Sequence, residues 1–227
     1  MHGKLIVFEG VEGSGKTTQL QRCSSWLQTS GLQECIGAMG EQMSLVVTRE
    51  PGGTSLGVAL RQLLLEGHSL SIQDRAELLM YAADRSQHVE EFLKPQLVLG
   101  TIILCDRYTD STVAYQGYGR GLDLTLIQQL NQIATNGLES DLTLWLDIDI
   151  EIGLKRAQQR GRADRIEQAD LEFHRRVQQG FVQLAASNSH RIVRIDATKS
   201  EEEVHLAIQD ILRQRFNTWF QTLSQPS

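Results

Sequence analysis

The chain is poor in the residues that staple or interrupt a fold. Its 227 residues include only three cysteines and three prolines. Cys23, Cys35 and Cys105 are odd in number and widely spaced with no CxxC pair, which excludes a disulfide framework or zinc knuckle and leaves reduced, buried thiols. Pro51, Pro95 and Pro226 mark no linker, and no segment is repeated or of low complexity. Long apolar runs are missing too. The opening MHGKLIVFEG has about six apolar positions before charge and glycine intervene, against ~18 for a membrane span, so a cytoplasmic protein with no membrane partner is expected. Positive charge is also scarce: 22 Lys plus Arg against 28 Asp plus Glu gives −6, which disfavours a nucleic-acid partner. A small anionic ligand needs only a local basic pocket.

What is present fits one α/β domain over 1–227. Hydrophobic residues make up 41% and charged residues 22%, ordinary globular values, and the length is sufficient to bury a sizeable core. Short apolar, β-branched runs at Lys4–Glu9, Ser44–Thr48, Thr101–Cys105, Leu142–Ile148 and Arg191–Ile195 predict five strands. Between and after them lie helix-permissive stretches at Gln19–Leu27, Leu56–Glu66, Gln73–Leu99, Leu124–Asn136, Ile150–Gln159, Gln168–Ala186 and Glu201–Leu223. Strands alternating with helices predict a five-stranded parallel sheet covered on both faces. Residues 31–43 read as an irregular surface insertion, and the tail after Phe220 as fraying.

Gly10–Thr17 reads GVEGSGKT, which satisfies GxxxxGK[ST] between a predicted strand and a predicted helix. Glycines let successive N–H groups face one concavity, and the following helix adds its positive end, so a nucleotide triphosphate is held by donors. This P-loop NTPase fold assigns ATP to Gly10, Val11, Glu12, Gly13, Ser14, Gly15, Lys16, Thr17 and Thr18. Lys16 is the cation for the β and γ phosphates, and Thr17 supplies a hydroxyl for Mg²⁺. The DxxG and NKxD strings of GTPases are both missing. The histidines form no short-range ligand spacing.

Four further stretches occur in order: TREPGGT at 48–54, LLMYAADRSQH at 78–88, DRYTDSTVAYQGYGRG at 106–121 and RGRADRIE at 160–167. Together with the phosphate loop they make the chain resemble thymidylate kinases from its first strand to beyond residue 167. The resemblance implies transfer of the γ-phosphoryl group of ATP to dTMP, giving dTDP and ADP for dTTP synthesis, with Mg²⁺ as cofactor. It implies that Arg49 and Arg107 lie near the acceptor phosphate, with Pro51 shaping the turn beside Arg49. Tyr81, where the family more often has Phe, would stack on thymine while Arg85, four residues on, reaches its O4. Thr112 would lie near thymine N3, Tyr115 against the sugar C2′, and Gln116 near the base. Glu12 would accept a hydrogen bond from the acceptor 3′ hydroxyl, and Asp106 would hold Mg²⁺ through water.

The phosphate loop carries no arginine, so further cations must come from elsewhere, and the basic cluster of Arg156, Arg160, Arg162 and Arg165 resembles the bacterial type of the family, in which a short lid, here about 156–167, closes over ATP and contributes arginine. Arg160, Arg162 and Arg165 are the candidate catalytic cations there, together with Lys16 and Arg107; Arg156 reads as a solvated helix end. Family resemblance alone implies a homodimer through helices near 55–100. A kinase for another nucleoside monophosphate, such as dUMP or dGMP, and an ATPase or binding module without an acceptor share the phosphate loop and stay open.

Overall fold

Five short apolar runs lie side by side as parallel strands in a computed structural model that describes residues 2–37, 40, 43–66, 71–159, 165, 166 and 168–220. They are β1 (Lys4–Glu9), β2 (Leu45–Arg49), β3 (Ile102–Asp106), β4 (Leu142–Asp147) and β5 (Ile192–Asp196), in the order β2-β3-β1-β4-β5. The expected α/β class and parallel sheet are present, with β2, β3 and β5 each displaced by one residue from the sequence reading. Central β1 and β3 are almost wholly buried, as strands with helices on both faces must be, whereas edge strand β2 is half-exposed.

The pleat divides the interior between two sides. Ile6 and Phe8 of β1 join a large cluster with Leu20, Phe181, Leu212 and Phe216, while Leu5 and Val7 face a smaller one with Val89, Leu93, Ile103 and Tyr108. Burial of each such side chain stabilises the fold by about 1.5–3 kcal/mol. The covering helices are α1 (Lys16–Trp26), α2 (Leu32–Ile36), α3 (Ser55–Arg61), α4 (Asp74–His88), α5 (Lys94–Val98), α6 (Thr109–Thr112), α7 (Leu124–Thr135), α8 (Ile150–Gln159), α9 (Leu171–Ser187) and α10 (Glu201–Phe220). A wide turn over Leu27–Gly31 joins α1 to α2, another over Val89–Leu93 joins α4 to α5, and a third, Val113–Gly119, continues α6.

One expectation is overturned at 31–43. Leu32–Ile36 is helical and seats Leu32 and Cys35 in the core, so the first six residues of that stretch are ordered packing and not an irregular insertion. Leu32, Cys35 and Ile36 have the i, i+3, i+4 spacing of a helix face, a signal too short to stand out beside two flanking glycines. Gly37, at φ 60°, ends the helix. Most of the expected lid, residues 160–164 and 167, and the tail expected to fray, 221–227, lie outside the described residues. All three cysteines are free and buried.

The strands end level with one another on the side that matters. Phe8 of β1 and Arg49 of β2 both stand opposite Asp106 of β3, and the pairing continues past the sheet, Arg107 N–H donating to Phe8 O at 3.0 Å and Glu50 N–H to Asp106 O at 2.9 Å. The chain leaves β1 toward β2 but leaves β3 toward β4, across the sheet in opposite directions. Open parallel sheets take ligands at the carboxyl ends of strands where connections reverse in this way.

Candidate active site

The residues between β1 and α1 are shaped by glycine. Gly13 has φ 71°, and a Cβ there would sit 1.9 Å from Gly153 O, so the loop rests directly on the backbone of α8. Gly15, at φ 89°, is the N-cap of α1 and supplies no side chain to its free N–H groups. By contrast α3, α7 and α9 are capped in the ordinary way by Thr54, Asp123 and Asp170. Uncapped N–H groups and the helix dipole together make the start of α1 suited to phosphate.

Lys16 is buried within this loop, its Nζ donating to Gly10 O and Val11 O at 2.9 Å each. Burial first, and then the Arg107 charge, push its pKa down to about 8 against the pull of Glu12 and Asp106. It remains cationic at neutral pH. Thr17 and Thr18 are exposed at the mouth of the loop.

A cleft of ≈ 610 Å³ runs from this loop to the ends of β2 and β3. Its walls include residues 12–18 on one side and Arg49, Pro51, Tyr81, Arg85, Arg107, Thr112, Tyr115 and Gln116 on the other, so every sequence-predicted acceptor residue borders the same space as the phosphate loop. Asp106 lies between the two groups. Its Oδ1 is buried and has no hydrogen-bond partner among the described residues. Such an oxygen is costly to leave unmatched unless a cation or its water is to be held there.

Arg107 sits at φ 70°, a conformation that costs a non-glycine residue about 1–2 kcal/mol. The turn is held by Glu9, wholly buried beneath it, which accepts from Tyr108 N–H at 2.9 Å, Ser111 N–H at 3.1 Å and Ser111 Oγ at 2.6 Å. Burial pushes the Glu9 carboxyl up to about 7 despite Arg107 nearby. Arg107 in turn donates to Glu12 Oε1 at 2.5 Å and lies over the Tyr115 ring at 4.9 Å. Tyr115 OH donates to the same Glu12 oxygen at 2.9 Å. Burial alone would raise the Glu12 carboxyl, but Arg107 and Lys16 outweigh it and hold it at about 2.

Tyr81 and Arg85 share one face of α4, as their spacing predicts, but they differ in burial. Tyr81 is half-buried on the cleft. Arg85 is 2% exposed and tied on every side: Nε to Glu50 at 2.8 Å, Nη1 to Thr112 Oγ1 at 2.9 Å and Asn131 at 2.8 Å, Nη2 to Tyr108 O at 3.0 Å. Glu50 also takes His88 Nδ1 at 2.9 Å. Gln116 Nε2 donates to Glu77 at 2.9 Å. Arg49 lies exposed at the end of β2.

Two lid assignments shift. Arg165 is absent from the cleft walls; it donates to Leu64 O at 2.9 Å and pairs with Glu77 on α4. Arg156, read from sequence as a solvated helix end, lines the cleft. Arg160 and Arg162 lie outside the described residues. Sequence reasoning also missed Glu9, Arg61 and Lys199. Arg61 lines the cleft and donates to Pro51 O at 3.0 Å, and Lys199 borders it from the turn after β5. Arg61 follows Arg49 by twelve residues, and only the fold brings them together.

Among known proteins, the model of the family described as thymidylate kinase matches residues 8–208. A thymidylate kinase of Nostoc punctiforme is 62% identical over 215 residues, covering 94% of this chain and 97% of its own. One of Trichodesmium erythraeum is 59% identical over 223 residues, covering 96% and 99%. The crystal structure of a thymidylate kinase from Ehrlichia chaffeensis superposes with a TM-score of 0.72 at 35% identity, covering 93% of this chain and 99% of that one.

Proposed function

Since the chain belongs to the thymidylate kinase family, we propose that it transfers the γ-phosphoryl group of ATP to dTMP across the cleft at its strand ends, yielding dTDP and ADP, with the chain acting as one domain. The observation that carries this reading is the continuity of that cleft. Phosphate loop and acceptor residues line one space, so donor and acceptor phosphates can meet in line without the protein moving a covalent intermediate between sites.

In this reading the Gly10–Thr18 segment holds ATP, with Lys16 on the β and γ phosphates. Thr17 and the unpartnered Asp106 Oδ1 fit Mg²⁺, which takes roughly one or two carboxylates and draws its remaining ligands from phosphates and water. Bound there, the cation offsets phosphate charge. Arg49 and Arg107, with Pro51 shaping the turn, receive the acceptor phosphate; Arg61 reinforces them. Tyr81 covers the base, Arg85, Thr112 and Gln116 line its edge, Tyr115 closes on C2′, and Glu12 takes the 3′ hydroxyl. The attacking phosphate oxygen is already anionic and needs no strong base. Transition-state charge calls for more cations; Arg156, which lines the cleft, is better placed to supply one than Arg165, which Glu77 occupies, and Arg160 and Arg162 stay candidates from the sequence.

The protein works in the cytoplasm as a homodimer. Leu56 and Val58 on α3, Leu63 after it and Leu79 on α4 are exposed apolar side chains within the segment expected to pair, and light scattering on a Leu79→Glu variant should show the monomer mass if that face is the interface. For the activity itself, purified protein is assayed for ADP release with ATP, Mg²⁺ and a panel of nucleoside monophosphates. ADP formation should require an acceptor and be fastest with dTMP. A preference for another monophosphate would sink the substrate, and acceptor-independent ADP release would favour an ATPase.

A further inference from the structure

Glu77 is the one carboxylate of α4 wholly shut off from solvent, and it does not border the cleft. It gathers three donors from two distant segments. Gln116 Nε2 reaches its Oε1 at 2.9 Å, Arg120 Nη2 its Oε2 at 3.3 Å, and Arg165 pairs with Oε2. Burial works to raise its carboxyl, but the bonds from Gln116 and Arg165 and the charge of Arg120 prevail and keep it below the usual carboxylate range. An ionised carboxylate accepts and cannot donate. It therefore admits only one end of the Gln116 amide, the NH₂ end. The carbonyl end of Gln116 receives no donor from any described residue, and Gln116 lines the acceptor cleft.

We propose that Glu77 is a specificity-determining positioning residue: by fixing the Gln116 amide with its NH₂ end inward, it leaves a carbonyl acceptor for the acceptor base and so favours an imide edge over an amidine edge. Thymine and uracil carry an N3–H donor that this carbonyl can take beside Thr112, whose Oγ1 already accepts from Arg85. Cytosine presents an unprotonated N3, which would face the carbonyl lone pair against lone pair. Discrimination of this kind is strong because a buried polar group left facing the wrong partner loses its hydrogen bond and gains none. Arg120 and Arg165 hold the orienting charge in place, so the lid root contributes to base choice without touching the base. The proposal rests on the acceptor reading given above and adds to it a reason for base preference.

The experiment compares kcat/KM for dTMP and dCMP, at saturating ATP and Mg²⁺, in the wild type, Glu77→Gln, Gln116→Leu and the double variant. A glutamine at 77 can offer either end, so the Gln116 amide is released. The dTMP-to-dCMP ratio should fall at least about ten-fold in Glu77→Gln, chiefly through a higher KM for dTMP, with KM for ATP within about two-fold of wild type. Gln116→Leu should lose a similar factor, and the double variant no more than either alone. A wild-type ratio in Gln116→Leu, a wild-type ratio in folded Glu77→Gln, or additive losses in the double variant would each overturn the proposal. If Glu77→Gln does not fold, Glu77→Asp keeps the charge for both arginines while withdrawing it from Gln116, and an unchanged ratio there overturns it equally. Absence of dTMP turnover in the wild type would overturn the proposed function and this inference together; an unchanged ratio with normal turnover overturns the inference alone.

Discussion

The two walls of the cleft are built on opposite plans. The donor wall is backbone: glycines at positive φ, an uncapped helix start and one lysine resting on main-chain carbonyls. The acceptor wall is side chain, cross-tied through Arg85, Glu50, His88, Thr112, Gln116 and Glu77 before any ligand is considered. Main-chain donors recognise phosphate, which all nucleotides share, so the donor wall needs shape more than identity. A base edge must be told from other base edges, and that requires side chains whose own orientations are held. The rigidity of the acceptor wall is thus the physical source of its selectivity.

This contrast can be broken most sharply at Lys16. Lys16→Ala should lower kcat about 10²–10³-fold while leaving thermal stability nearly unchanged, because the side chain serves the phosphates more than the fold. A large loss of stability with intact turnover would reverse the assignment. Arg107→Ala should lower kcat/KM for dTMP about 10–100-fold and change KM for ATP by no more than about two-fold; equal losses for both ligands would place Arg107 with the donor wall.

Arg85→Ala tests the acceptor wall as structure. Removing it leaves the buried Glu50 carboxylate without its main cation, which should cost about 3–5 kcal/mol, and lower the melting temperature by about 10 °C. A melting point within a degree or two of wild type would mean the network is slack. The smallest effect is a slope. Glu9 titrates near 7 in the folded chain against 4.5 for an ordinary glutamate, so the folded state binds the proton more tightly. Its contribution is fully present below pH 4.5 and is lost as pH rises through about 7. Glu9→Gln should flatten the fall of melting temperature over that window; identical pH profiles for variant and wild type would refute the buried-acid account.

Much of the fold was legible because its signals are local. β1 begins and ends where the apolar run does, and α8 spans the expected residues. α7 stops one residue short of its expected end, where Asn136 takes a left-handed conformation. The short α2 escaped notice because five residues carry too little periodicity to outweigh flanking glycines. In the site, the phosphate loop was found by its spacing and the acceptor segments after β2 and β3 by their resemblance to the family, both readable because each keeps its residues adjacent in the chain. Glu9, Arg61, Glu77 and Lys199 carry no such spacing. Glu9 reads as the polar end of a strand, and Glu77 as one more acid in the first turn of a helix.

By itself, then, the sequence determined the glycine-shaped phosphate loop, the strand and helix alternation and the family's acceptor motifs, all properties of neighbours along the chain. Tertiary structure alone decided which charges are spoken for. Arg165 and Arg156 lie nine residues apart in one basic segment, yet Glu77 draws the first away from the cleft while the second lines it. The reason is physical: a charge acts through what lies within a few ångströms of it and how much water is excluded there, and both are set by segments distant in sequence.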